Sequence, residues 1–382
     1  MKSSSVIKLS KSSLKNNLKL IKKLSGKAKF SLVVKGNAYG HGIGKYVKMA
    51  EECGADHFST FSYEEALSVK RNTKNNPAIM IMGYIDNNYV GDCIKKGFEF
   101  FVFDFYRLNR AILEAKKLNK KAKIHIEVET GLNRTGFHEK ELEDLFKLLR
   151  DNGGYLEIKG LCTHYAGAES ISNYYRIKKQ IKRFKKYISS FESNEIYPEK
   201  YHTASSAGTI IYPKTRYNLV RIGILQYGGW PSIETYVYYL TNRKNKKNPL
   251  KPVLSWESSI MNIKKVRAGE YIGYGNHYLA QEDMKVASIP VGYTEGYSRV
   301  LGNQSQVIIK GEAVNVIGVI NMNLLVVDVT SFDNINIGDK VTLIGREGDQ
   351  AINFSSFSDK GKELNYEVLS RLPEKIPRKI VD

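Results

Sequence analysis

Between Phe30 and about Ile222 short apolar runs alternate with longer amphipathic ones, and this alternation limits the possible folds more than any other feature of the chain. The short runs predict strands at 30–34, 57–60, 78–82, 99–103, 124–129, 157–162, 200–203 and 219–222. The longer ones predict helices at 44–53, 63–71, 105–118, 139–150 and 170–193. In 139–150, Leu142, Leu145, Phe146, Leu148 and Leu149 fall on one face. Strand–helix alternation implies right-handed crossovers and a parallel sheet. Eight such units in about 200 residues suggest an α/β fold closed into a (β/α)8 TIM-type barrel. A doubly wound open sheet satisfies the same strand count.

After Trp230-Pro231 the texture changes. A polar, lysine-rich segment at 241–252 leads into strand-like runs at 253–263, 285–291, 306–310, 313–320, 324–329 and 340–344, separated by turns that contain glycine. The expected division is therefore a barrel over 1–235 and a mostly β domain over 236–382.

The 382 residues carry a net charge of +20. A surplus of this size is a reason to consider nucleic acid or an acidic membrane as partner. Here the lysines are scattered along helical faces and one loop, without a helix-turn-helix, zinc-finger or RNP pattern, so we expect a basic surface and neither partner. The longest uncharged apolar run, Ala313–Val327, is too short for a membrane span and is broken by asparagines. Cys53, Cys93 and Cys162 make neither a disulfide framework nor a CxxC metal site, and no metal is expected. The start has no apolar stretch of the kind that precedes secretion, so a cytoplasmic location is expected.

In a βα barrel the reacting groups cluster at the C-terminal ends of the strands. Those ends carry Lys35, Glu127 and Arg134, His164, Ser205 and Ser206, and Arg221. The set holds an amine, a carboxylate, two guanidiniums, an imidazole and hydroxyls. A lysine directly after SLVV is partly desolvated, which favours the free amine and Schiff-base chemistry; equally, its ammonium can reach solvent. Ser205 and Ser206 open a helical turn, either as structural caps or as part of a phosphate site.

The run VVKGNAYGHG (33–42) resembles the pyridoxal-phosphate signature of bacterial alanine racemases. IHIEVETGLNRTGF (124–137), GLCTHYAG (160–167), HTASSA (202–207), NLVRIGILQYG (218–228), YIGYGNHY (271–278), IPVGYTEGYSR (289–299), IGVINMN (317–323) and NYEV (365–368) resemble further blocks of that family, in its order. The resemblance implies a barrel followed by a β domain, and a homodimer in which each site is completed by the partner subunit. It implies that Lys35 binds pyridoxal 5'-phosphate covalently and serves as one acid/base, with Tyr274 of the partner subunit as the other. Tyr39, Ser206 and the backbone of Gly223 and Ile224 would hold the phosphate. Arg221 would face the pyridine nitrogen, and His164 would lie against the ring and bond toward Arg221. Arg134 and the Met322 amide would hold the carboxylate of a small amino-acid substrate, and Tyr293 would narrow the entrance, with Arg299 further out. The implied reaction is the interconversion of L- and D-alanine, supplying D-alanine for peptidoglycan; the alternative is a related racemase acting on serine or a broader range of amino acids.

Four positions depart from the family pattern. Glu127 stands where many members carry a carbamylated lysine, and is expected to replace that modification beside Arg134 without carbon dioxide, its shorter side chain leaving room for a bridging water. Val319, Asn321 and Asn323 replace an arginine, a cysteine and an aspartate around Met322. Glu374 stands where alignment places a phosphate-contacting tyrosine, so that contact is expected to be missing; Ser205 stands where asparagine is common.

Overall fold

The computed structural model describes residues 4–241, 243–361 and 364–382; the first three residues and Asn242 of the lysine-rich segment lie outside the described residues. The chain divides into two compact units, one of residues 15–35 and 50–250, the other of residues up to Leu14, 36–49 and 251–382.

The first strand, β1 (Ser5–Ser10), belongs to the second of these units. The next eight build the first: β2 (Lys29–Val33), β3 (His57–Thr60), β4 (Ala78–Ile81), β5 (Glu99–Val102), β6 (Ala122–Glu127), β7 (Leu156–Cys162), β8 (Tyr201–His202) and β9 (Leu219–Ile222). They form one parallel sheet in the order β8-β7-β6-β5-β4-β3-β2-β9. The ends of that order meet: the Arg221 N–H donates to the Ala204 carbonyl at 2.9 Å, and Asn218 links the Tyr201 N–H (2.7 Å) to the Glu199 carbonyl (3.1 Å). The fold is thus a closed barrel, and the open-sheet alternative falls, because its strand order would reverse partway along the chain.

Helices α1 (Lys11–Ser25), α2 (Lys35–Tyr39), α3 (Ile43–Glu52), α4 (Tyr63–Asn72), α5 (Asn87–Lys96), α6 (Phe105–Leu118), α7 (Leu142–Asp151), α8 (Tyr174–Ser193), α9 (Ser206–Ile211) and α10 (Ile233–Thr241) connect the strands or follow them. Their limits follow from local chemistry. Ser62, Asp86 and Asp104 cap α4, α5 and α6 by accepting bonds from first-turn amides, and Gly97 and Asn119 end α5 and α6 in the left-handed conformation. Helix α7 buries Leu142, Leu145, Phe146 and Leu149, the face expected from its spacing. Helix α2 is a single left-handed turn, with φ of 61°, 53° and 54° at Gly36, Asn37 and Ala38.

The second unit is a mixed sheet of β1 with β10 (Leu254–Ser259), β11 (Asn262–Val266), β12 (Met284–Ile289), β13 (Gln306–Ile309), β14 (Glu312–Ile317), β15 (Leu325–Asp328), β16 (Lys340–Glu347), β17 (Gln350–Ile352) and β18 (Arg378–Val381). β1 lies between β10, antiparallel, and β18, parallel. Strict alternation in β1 and β10 turns Ile7, Leu9 and Trp256 into the core, with Ile7 opposite Trp256. Among the described residues no helix is long and apolar enough to cross a membrane.

Candidate active site

The barrel's C-terminal rim carries Lys35 after β2, Glu127 at the end of β6, His164 after β7, Ser205 and Ser206 after β8, and Arg221 within β9. The strand end before Lys35 is fixed on both sides. The Val33 carbonyl accepts from Gln226 Nε2 (3.0 Å) and the Tyr227 hydroxyl (2.9 Å), and the Val34 N–H donates to the Ser59 carbonyl (2.8 Å). The Lys35 side chain as a whole is exposed. The protein packed around its ammonium nevertheless lowers its pKa, reinforced by the charges of Arg134 and Arg221 and opposed by Glu65. That shift favours the free amine, the form that adds to a carbonyl.

Arg134 is exposed on the segment between β6 and α7, which is held from two directions. The Glu129 carboxylate accepts from the Gly131 and Asn133 amides, the second at 2.8 Å. From α8, Arg176 donates to the Gly131 carbonyl (2.9 Å), Arg183 to the Thr130 carbonyl (3.1 Å) and the Tyr187 hydroxyl to the Glu129 carbonyl (3.0 Å). Glu127 is buried and accepts from the Thr135 hydroxyl at 2.8 Å. Burial raises its pKa, against the pull of Thr135, Arg134 and Arg221.

Arg221 is buried. Its Nη1 donates to His202 Nδ1 and to the His202 carbonyl (2.8 Å), and its Nη2 to the Thr163 carbonyl (2.9 Å). The imidazole bonded to Arg221 is therefore His202, not His164 as the sequence suggested. The reason is strand direction: β8 neighbours β9 across the closure, so His202 reaches the guanidinium first. His164 is half-buried, and burial followed by the charges of Arg221, Arg134 and Lys35 holds its pKa down to about 3, which keeps the ring neutral. Arg221 Nε has no hydrogen-bond partner among the described residues.

The Ser206 hydroxyl is buried and accepts from the Gly223 N–H at 3.0 Å, which joins the start of α9 to the turn that opens at Ile224. Ser205 is the N-cap of α9, the structural role open to it from sequence.

The remaining predicted residues belong to the other unit. Tyr39 ends the left-handed turn, and burial raises its pKa to about 12. Its ring lies 5.8 Å from that of Tyr366, in the NYEV block. Tyr293 and Met322 are brought together: the Tyr293 N–H donates to the Asn321 carbonyl (3.1 Å), and the Thr294 N–H and hydroxyl to the Met322 carbonyl (3.0 and 2.9 Å). Asn323 donates to the Thr294 hydroxyl at 2.6 Å, so this departure from the family pattern supports the turn. Tyr274 stands between two left-handed glycines and is 72% exposed; Tyr293, Arg299 and Met322 are exposed as well.

Residues 9–231 match the family described as alanine racemase, N-terminal domain, and residues 253–380 match alanine racemase, C-terminal domain. The alanine racemase of Leptospira interrogans serogroup Icterohaemorrhagiae serovar copenhageni is 35% identical over 387 residues, covering 99% of this chain and 96% of that protein. The crystal structure of alanine racemase from Bacillus anthracis with bound L-Ala-P superposes with a TM-score of 0.89 at 28% identity, covering 100% of this chain and 96% of that one. The alanine racemase from D-cycloserine producing Streptomyces lavendulae superposes with a TM-score of 0.91 at 24% identity, covering 100% and 98%, a likeness of fold.

Proposed function

The chain belongs to the alanine racemase family, and from that premise we propose that it interconverts L- and D-alanine by moving the α-proton between Lys35 and Tyr274 of a partner subunit, with pyridoxal 5'-phosphate bound at the barrel rim. The observation that carries this reading is the pairing of a lysine whose free amine is favoured with a buried arginine held by protein acceptors on both Nη atoms. The residues suit the cofactor. Lys35 offers the amine for its aldehyde, Arg221 Nε has no hydrogen-bond partner among the described residues and suits an acceptor nitrogen, and the Ser206 hydroxyl sits where two short helical turns begin.

When bound, the cofactor withdraws electrons from the α-carbon and makes its proton acidic. The chain supplies the rest. Arg221 is always charged and can only donate, so a nitrogen facing it stays unprotonated, which restrains side reactions of the substrate. Ser206 and the amides of Gly223 and Ile224 would hold the cofactor's phosphate, a role the resemblance implies for Tyr39 as well. Arg134 and the Met322 amide of the partner subunit hold the substrate carboxylate, Glu127 steadies Arg134, and Tyr293 narrows the entrance. His164, held neutral, would lie beside the ring and add no charge. Lys35 Nζ removes or returns the proton on one face of the α-carbon, and Tyr274 of the partner subunit does so on the other. A homodimer of this kind fits a cytoplasmic supply of D-alanine for peptidoglycan.

Borohydride reduction of the holoenzyme, followed by peptide mapping, is expected to fix the cofactor on Lys35, and the same preparation is expected to racemise alanine faster than serine. A label on another lysine would overturn the site assignment, and a preference for serine would overturn the substrate.

A further inference from the structure

A barrel of this type is ordinarily filled by layers of apolar side chains. Here the interior also holds Glu99, His57, His125, His202 and Arg221, all buried. Their contacts have a direction. Arginine only donates, so His202 Nδ1, bonded to Arg221 Nη1, is an acceptor, and the His202 proton resides on Nε2. Nε2 of His202 lies 2.8 Å from His125 Nδ1, which must therefore accept, and the His125 proton resides on its own Nε2. That nitrogen lies 2.8 Å from Glu99 Oε2. The donors thus run one way, from Arg221 through His202 and His125 to Glu99, and both imidazoles are neutral.

Electrostatics agree with this order. Burial lowers the pKa of His125 to about 4 and that of His202 well below its ordinary value. Burial alone would raise Glu99, but His125 and His57 beside it together outweigh that and hold the carboxyl well below its ordinary value. Lys200 Nζ at 3.6 Å and His57 Nε2 at 3.7 Å face the same oxygen, too far for hydrogen bonds.

The backbone is adapted to this line. Gly160 on β7 stands opposite His125 on β6, beside a register shift between Ile124 and His125. A Cβ on Gly160 would press into His125 Nδ1 and lie 2.9 Å from His202 Nε2. Its φ is not positive, so the glycine serves close approach and not turn geometry. Phe101 lies against both rings, with centroids 5.9 and 5.8 Å away.

We propose that Glu99 is a positioning residue for Arg221, acting through His125 and His202, and that position 160 is glycine so that this relay can close. The proposal rests on the function read for the barrel rim and deepens it. The carboxylate at the far end fixes the tautomer of each ring in turn. Were that end neutral, His125 could carry its proton on Nδ1, His202 would then present Nδ1–H to Arg221, and two donors would oppose each other. The guanidinium would turn, and Nε would leave the direction in which it serves the cofactor nitrogen.

The test compares the wild-type holoenzyme with Glu99→Gln, Glu99→Asp and Gly160→Ala. Nitrogen-15 NMR of labelled histidines reads the tautomers, and steady-state assays read kcat, KM and the keto acid released per racemisation. In the wild type, His125 and His202 are expected as Nε2–H tautomers. Glu99→Gln and Gly160→Ala are expected to lose that pattern, to lower kcat about ten-fold or more with little change in KM, and to raise the keto-acid fraction. Glu99→Asp keeps the charge and is expected to restore much of each. Wild-type tautomers and keto-acid fraction in both Glu99→Gln and Gly160→Ala would overturn the proposal. So would failure of both to fold, which would make the relay a support of the barrel and not of Arg221. A wild type without bound-cofactor absorbance would instead sink the reading of the rim, while the tautomer pattern still decides whether the relay exists.

Discussion

At the scale of single residues, Glu127 shows how a charge can be kept at a thermodynamic cost. Its folded pKa lies above the ordinary 4.5 because burial disfavours the anion more than Thr135, Arg134 and Arg221 favour it. A carboxyl shifted upward stabilises the fold fully below its ordinary pKa, and that contribution is lost as pH rises through the folded value. Glu127→Gln is therefore expected to gain thermal stability relative to wild type above about pH 5 and to show little gain near pH 4. It is also expected to raise KM for alanine, because Arg134 loses a carboxylate companion. Thermal scans across pH and saturation curves check both; a pH-independent Tm difference would contradict the linkage. Lys35 and Arg221 were legible in the sequence because each lies in or just after an apolar strand within a specific block. The partner of Arg221 was not. The order of residues along β7 and β8 does not say which ring nitrogen turns to the guanidinium, and His202 was met only as part of a block.

At the scale of elements, the segment between β6 and α7 governs how Arg134 is presented. Gly136 has φ +117°, and a Cβ there would lie 2.7 Å from the Glu129 N–H nitrogen and 2.8 Å from the Val128 carbonyl carbon. Gly136→Ala is expected to destabilise the protein by about 1–3 kcal/mol and to raise KM more than it lowers kcat. Denaturant midpoints and saturation kinetics measure the two effects. The eight barrel strands were readable because each is a short apolar run bounded by a helix. β8 shrank to Tyr201–His202, and 170–193 begins with a 3-10 turn at Ile171–Asn173 before α8. β1 and β18 escaped notice because their partners are remote in sequence, so no hairpin spacing marks them. The left-handed turn after Lys35 was foreshadowed only by Gly36 and Gly40. That Asn37, Ala38 and Tyr39 share the conformation, at roughly 1–2 kcal/mol each for residues with a Cβ, is a tertiary result that propensity does not anticipate.

At the scale of the whole molecule, the proposed chemistry divides between chains. Lys35 and Arg221 lie in one unit, and the exposed Tyr274, Tyr293 and Met322 in the other. Co-expression of Lys35→Ala with Tyr274→Phe is expected to recover about a quarter of wild-type activity, since half the dimers are mixed and each of those has one intact site of two. No recovery, with mixed dimers verified by tagged subunits, would mean that Tyr274 serves its own chain. The partition of the chain also bears on how it is made. β1 precedes every barrel strand in the chain, yet its neighbours, β10 and β18, follow all of them. All the barrel strands are out of the exit tunnel before either arrives. Until β10 has emerged, Ile7 and Leu9 must therefore wait unsheltered on a nascent edge, a burden for chaperones that moving this strand to follow the barrel would remove.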